Sequence, residues 1–124
     1  MVRFLLVRTK GGKYWTFPKG GFKTREQPWQ GAEREAREEA GAIGTIEHSP
    51  FTEFEYRAVG EKVRTVPAFL MEVANPDNLK THEPGRKPKW FEEADAIAAL
   101  EEDRDAIESD SMVEALTLAA RTLD

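Results

Sequence analysis

Three glutamates, Glu35, Glu38 and Glu39, carry the clearest chemical signal in this sequence. At 3.6 residues per turn, their i, i+3 and i+4 spacing gathers them on one side of a helix. Glu35 and Glu39 have Gly31, Ala32, Ala36, Glu38 and Ala42 three or four positions away, and no base among them. Two such charges about 4 Å apart repel by roughly 4 kcal/mol at an effective dielectric of ~20, and a bound divalent cation reverses the sign. With no Cys in the chain and no His nearby, oxygen donors point to a hard ion, Mg²⁺ or Mn²⁺, rather than zinc. A solvated charged face is the ordinary meaning of a Glu/Arg-rich helix. The pairs Glu33–Arg37 and Arg34–Glu38 fit that plainer reading, and spacing alone leaves both readings open.

The helix that must hold these residues has clear ends. Pro28 suits a first helical position and Gly41 a left-handed C-cap, while Trp29, Ala32, Ala36 and Ala40 fall on one side that should pack inward. Gly20 and Gly21 open a glycine loop immediately before it.

Loop and helix together run Gly20, Glu26, Arg34-Glu35-Ala36-Arg37-Glu38-Glu39-Ala40-Gly41-Ala42. This resembles the Nudix box: Gly, five residues, Glu, seven residues, Arg-Glu-aliphatic-any-Glu-Glu-any-Gly-aliphatic. All seven fixed positions are present. Ala36 and Ala42 depart from it, since the family usually carries a larger aliphatic residue at each. The resemblance implies that Glu35 and Glu39 ligate a divalent metal with the Gly20 carbonyl. Glu38 is then a further ligand or the base that takes a proton from water, and Arg34 and Glu26 orient the carboxylates. Just upstream, Trp15-Thr16-Phe17-Pro18-Lys19-Gly20-Gly21 is similar to a run found in hydrolases of diadenosine and diphosphoinositol polyphosphates. That likeness implies phosphate contacts at Lys19 and Gly21, and a similar string at Gly85 to Phe91 implies more from Arg86, Lys87 and Lys89. A solvated basic loop is the alternative for the second string. Glu53 and Glu55 are rival candidates for the base, because in some Nudix enzymes that group lies outside the box; solvated strand positions are the simpler reading.

The remaining sequence must build a scaffold for this segment. Its 124 residues, 40% of them hydrophobic, suit one domain with a core that needs no staples. The absence of Cys excludes disulfides and fits a reducing cytoplasm. Phe4-Leu5-Leu6-Val7 is too short for a signal segment or membrane span and reads as a first strand, apolar on both faces and therefore central. Residues 1–91 hold 16 basic and 12 acidic residues, net +4, whereas 92–110 hold nine acids and one Arg, net −8. No acid precedes Glu26, so the loop region presents a face that attracts a polyanion. Nucleic-acid binding is disfavoured, because no stacking pattern interleaves the charges.

Thr9 to Lys13 reads as a hairpin turn into a strand at Tyr14–Phe17, with Trp15 a packing residue. Thr52–Tyr56 alternates as a half-exposed strand, 57–61 turns around Gly60, and Lys62–Val73 forms a further strand with Pro67 at an edge or bulge. An Ala-rich helix follows Trp90. Leu100 to Asp110 reads as an acidic connector and Ser111–Glu114 as a capping box opening a terminal helix over about 111–123, apolar at Met112, Leu116, Ala119, Ala120 and Leu123. His48 and His82 fit no ligand pattern. These elements give an α/β class chain. The resemblance implies the Nudix fold, an α/β/α sandwich with a mixed central sheet over a single domain, residues 1–124. The function it implies is a cytoplasmic, metal-dependent hydrolase of a small polyphosphorylated molecule, favoured as a dinucleoside polyphosphate or diphosphoinositol polyphosphate, working as a monomer or homodimer. A house-cleaning nucleoside triphosphate pyrophosphatase and a non-catalytic ligand-binding domain are the alternatives.

Overall fold

The computed structural model describes residues 1–21, 23–57, 62–80 and 82–123, apart from the side chains of Ile107 and Glu108. In chain order the elements are β1 (Arg3–Arg8), β2 (Trp15–Thr16), α1 (Pro28–Ala40), β3 (Gly44–Ile46), β4 (Thr52–Tyr56), β5 (Arg64–Ala68), β6 (Met71–Val73), β7 (Lys89–Glu92), α2 (Glu93–Glu101) and α3 (Ala106–Leu123).

β1 is the middle strand of a sheet ordered β2-β1-β7, and its sequence explains why. Leu6 and Val7 are both fully buried and face opposite ways, as successive strand residues must. Leu6 joins Trp15, Phe54, Phe91, Leu100, Met112 and Leu116 in the core under α2 and α3, while Val7 packs with Ala40 and Ala42 at the end of α1. Helices therefore lie on both sides of β1, the α/β layering expected. Where a mixed sheet was expected, the pairings among the described residues are all antiparallel and fall in three small sheets: β2-β1-β7, β3-β6 and β4-β5.

α1 starts at Pro28 and ends with Gly41 at φ 69°, a left-handed conformation in which its N–H reaches the Arg37 carbonyl at 2.9 Å. Glycine adopts it without the Cβ clash an L side chain would bring. The glycine turn after β1 closes as expected, with Thr9 N–H donating to Tyr14 O at 2.7 Å and both Gly11 and Gly12 at positive φ. Trp15 packs edge-on against Phe91 with ring centroids 5.1 Å apart.

Three expectations are corrected. The strand expected over Lys62–Val73 is two strands, because β5 pairs with β4 and β6 with β3, leaving Phe69 and Leu70 to carry the chain between sheets. Pro67 does sit on an edge, opposite Glu53. The terminal helix begins at Ala106, not Ser111, and takes up part of the supposed acidic connector. Carboxylates repel one another in a connector but are favoured beside a helix N-terminus, where Asp105 stands. No capping box forms at Ser111: its hydroxyl accepts the Glu55 N–H at 2.8 Å, which ties α3 to β4. Finally Leu123 is 49% exposed, although Met112, Leu116, Ala119 and Ala120 are buried as expected. The turn expected around Gly60 lies outside the described residues.

Small side chains leave room behind α1. Ala32, Ala36 and Ala42 face Phe51, Phe69 and Met71 across a cavity of about 230 Å³ that extends toward Lys19 and Gly20.

Candidate active site

Arg34 is the hub of the site. Its guanidinium grips Glu26 with two bonds, Nε to Oε2 at 2.8 Å and Nη2 to Oε1 at 3.0 Å. Nη1 donates to Glu35 at 2.5 Å and to Glu38 at 3.1 Å, and Nη2 donates to the Gly21 carbonyl at 2.8 Å. One planar side chain thus locks the glycine loop to two carboxylates of α1, a task that suits the fixed fork of arginine. The Lys23 N–H adds a bond to Glu26 at 2.9 Å. The bond from Arg34, then the Lys23 amide, holds the Glu26 carboxyl down at about 2. Arg34 in turn is held still more firmly protonated, first by Glu26 and then by Glu35.

Glu39 occupies the opposite setting. It is 3% exposed on the last turn of α1, and its carboxyl interacts with that of Glu35 one turn earlier. Burial first, and Glu35 second, push its pKa up to about 8. Its Oε1 accepts the Lys19 N–H at 3.2 Å, and its Oε2 faces the Arg86 guanidinium at 3.6 Å. The main chain at Gly20 lies directly against the Glu35 carboxylate, so that a Cβ there would collide with it.

The three glutamates are therefore divided. Glu35 and Glu39 share one centre, and Glu38, whose side chain is 40% exposed, leans on Arg34. Among the described residues no three His or acidic side chains stand together around a single point. Even so, two adjacent carboxylates, one of them buried at a cost in desolvation, against a glycine main chain form a hard-oxygen donor set that fits Mg²⁺ or Mn²⁺.

Of the basic residues singled out from sequence, two come to this centre. Lys19 Nζ lies 3.1 Å from the centroid of the Tyr56 ring. Burial lowers its pKa to about 8, with Glu39 opposing that and Arg86 and Arg104 adding to it. Arg86 reaches Glu39, as above. Lys87 stays exposed at φ 47°, and Lys89 lies over Phe91 in a separate groove with Arg3, Arg8, Asp95 and Glu102. Arg86 and Lys87 stand in the loop before β7, where Gly85 and Lys87 turn the chain at positive φ, whereas Lys89 is the first residue of the strand itself. Glu53 and Glu55 are exposed on β4.

Sequence reasoning missed three residues around the centre. Glu83 pairs with Arg86 at 2.9 Å, and its N–H donates to the Glu38 carbonyl at 2.8 Å. Tyr56 lies beneath Lys19, and Arg104 lies over the Tyr14 ring at 4.8 Å. Arg104 had one available signal, as the lone base in an acidic run. His48 stacks flat on Trp29 at 3.7 Å, a packing contact at the start of α1.

A model of the NUDIX domain matches residues 2–116. An asymmetrical bis(5'-nucleosyl)-tetraphosphatase of Caenorhabditis elegans is 34% identical over 100 residues, which are 77% of this chain and 72% of that protein. Two crystal structures of the C. elegans Ap4A hydrolase, one a binary complex, superpose with TM-scores of 0.76 and 0.74. Each is 29% identical and covers 98% of this chain, with 85% and 86% of theirs. The solution structure of the E. coli ORF135 protein, 19% identical, shares the fold alone, with a TM-score of 0.61 over 98% of this chain and 83% of that one.

Proposed function

Because the chain belongs to the Nudix family, we propose that it is a pyrophosphohydrolase that opens a phosphoanhydride bond of a dinucleoside polyphosphate with Mg²⁺ or Mn²⁺ as cofactor. The observation that carries the reading is the Glu35–Glu39 carboxylate pair on α1 with Lys19 and Arg86 beside it. Glu35, Glu39 and the Gly20 carbonyl would hold the cation, with Glu38 a further ligand or the base. When bound, the ion neutralises phosphate charge and raises the acidity of a water.

The side chains then have distinct tasks. Glu38 is open enough to meet a water and is oriented by Arg34, so it accepts the proton as the water attacks. Arg34 and Glu26 fix the loop and the carboxylates in register. Lys19 and Arg86 meet the negative charge of the polyphosphate, and the Gly21 main chain brings the loop close to it. Glu53 and Glu55, on the exposed face of β4, are the weaker candidates for the base. Lys87 and Lys89 act on the substrate's approach rather than at the reacting phosphorus.

The test is hydrolysis of diadenosine tetraphosphate, an inositol pyrophosphate and ordinary nucleoside triphosphates with Mg²⁺ and with Mn²⁺. The expected result is cleavage of the dinucleotide into a nucleoside triphosphate and a monophosphate, abolished in Glu38→Gln. Preferential turnover of nucleoside triphosphates to monophosphate and pyrophosphate would instead make the chain a house-cleaning pyrophosphatase. Tight binding without turnover would make it a regulatory domain. A preference for the inositol compound would move the substrate to that class.

A further inference from the structure

Among the described residues, Arg86 stands on the carboxylate edge of Glu39 that no main-chain donor covers. Glu39 Oε1 is taken by the Lys19 N–H, while Oε2 faces Arg86 at 3.6 Å. The guanidinium is held there by other partners: Nε and Nη2 each lie 2.9 Å from Glu83 Oε1, and Nη1 donates to the Arg8 carbonyl at 3.3 Å. The main chain is tied as well, with the Arg8 N–H donating to the Arg86 carbonyl at 2.6 Å and the Glu83 N–H to the Glu38 carbonyl at 2.8 Å. Both flanking residues are left-handed, Gly85 at φ 82° and Lys87 at φ 47°, a conformation a lysine adopts only where its surroundings enforce it. The backbone of the segment is therefore fixed, and it presents one cation to Glu39 at the end of a side chain.

We propose that Arg86 is a built-in counterion that competes with the divalent cation for Glu39, so that cation binding turns its guanidinium from Glu39 to the substrate's phosphates. The inference rests on the reading above that Glu39 is a cation ligand, and extends it by coupling the two binding events through one residue. Two positive groups cannot share one carboxylate edge at close range without strong repulsion. Glu83, 2.9 Å from the guanidinium, is a second carboxylate partner already in place beside Glu39. By linkage, a polyanion that engages Arg86 relieves the competition and raises cation affinity by the same factor that the cation raises its own. Arg86 thus acts as a positioning residue for cation and substrate together.

The experiment measures Mn²⁺ binding to the full chain from the electron paramagnetic resonance of the free ion, without substrate and on the alkaline side of the Glu39 pKa of about 8 so that the carboxylate is ionised, for wild type, Arg86→Met and Arg86→Lys. Hydrolysis of diadenosine tetraphosphate at saturating Mn²⁺ is followed in parallel. Arg86→Met should bind Mn²⁺ about fivefold or more tightly than wild type. Its kcat/KM should nevertheless fall about tenfold or more, because a charge-assisted bond to phosphate is lost. Arg86→Lys, which keeps the charge but not the fork that holds Glu83 and the Arg8 carbonyl, should bind Mn²⁺ less tightly than Arg86→Met. Where the Met variant does not fold, Arg86→Gln, able to hydrogen-bond Glu83 and the Arg8 carbonyl, makes the same test. Equal or weaker Mn²⁺ binding in the uncharged variants overturns the proposal, since a merely structural Arg86 would loosen the site when removed. Wild type that binds no Mn²⁺ fails the cation-ligand reading itself, a result distinct from the first.

Discussion

At the scale of single residues, the site opposes two carboxyls of different character. Glu26 is kept charged by Arg34, whereas burial, then Glu35, raise the Glu39 pKa to about 8 against the pull of the Lys19 N–H and Arg86. The second has a consequence for stability. Without divalent cation, the folded state holds the Glu39 proton up to about pH 8, while the unfolded chain releases it near 4.5. Across that window the folded state binds more protons, so stability falls as pH rises. Urea unfolding in EDTA should give a midpoint that declines from pH 5 to pH 8, and Glu39→Gln should flatten the decline. Adding Mg²⁺, which favours the carboxylate, should flatten it in wild type too. Glu26, Arg34, Glu35, Glu38 and Glu39 could be read directly from the sequence because one glycine loop and one helix carry them all. Glu83, Tyr56 and Arg104 could not: they arrive from distant segments whose positions are fixed by packing rather than by local spacing. The basic run at Arg86, Lys87 and Lys89 divides in the fold, with Arg86 at Glu39, Lys87 exposed and Lys89 over Phe91, a separation that adjacency in sequence does not reveal.

At the scale of elements, α1 is defined by its ends, and its C-terminal end holds Glu39. Gly41→Ala forces a left-handed alanine and should cost about 1 kcal/mol. Because Glu39 lies two residues before Gly41, the same variant should lose hydrolytic activity beyond what its lower stability explains, measured well below its melting midpoint. The ends of α1 were legible because Pro and Gly act through backbone geometry alone. The start of α3 was not. Ser111 has the sequence look of a cap, yet its hydroxyl is engaged across the fold by the Glu55 amide, and the helix runs back to Ala106. The single strand expected over Lys62–Val73 failed similarly, since apolar continuity gives no sign of where a chain leaves one partner strand for another.

At the scale of the whole molecule, a net charge of −5 conceals a polarised chain, positive through residue 91 and strongly negative over 92–110. If Lys19 and Arg86 attract the polyphosphate through that field, kcat/KM should fall severalfold between about 0.03 and 0.3 M salt, with a smaller change in kcat. The gap behind α1, where Ala36 and Ala42 leave space, bears on a different variable. The gap is partly open to solvent, and only its enclosed part would fill with water on unfolding and shrink the system, by a share of the roughly 20–100 mL/mol that such transitions release. Hydrostatic compression should therefore favour the unfolded chain. Ala36→Leu, by occupying the space, should move the half-unfolding pressure upward.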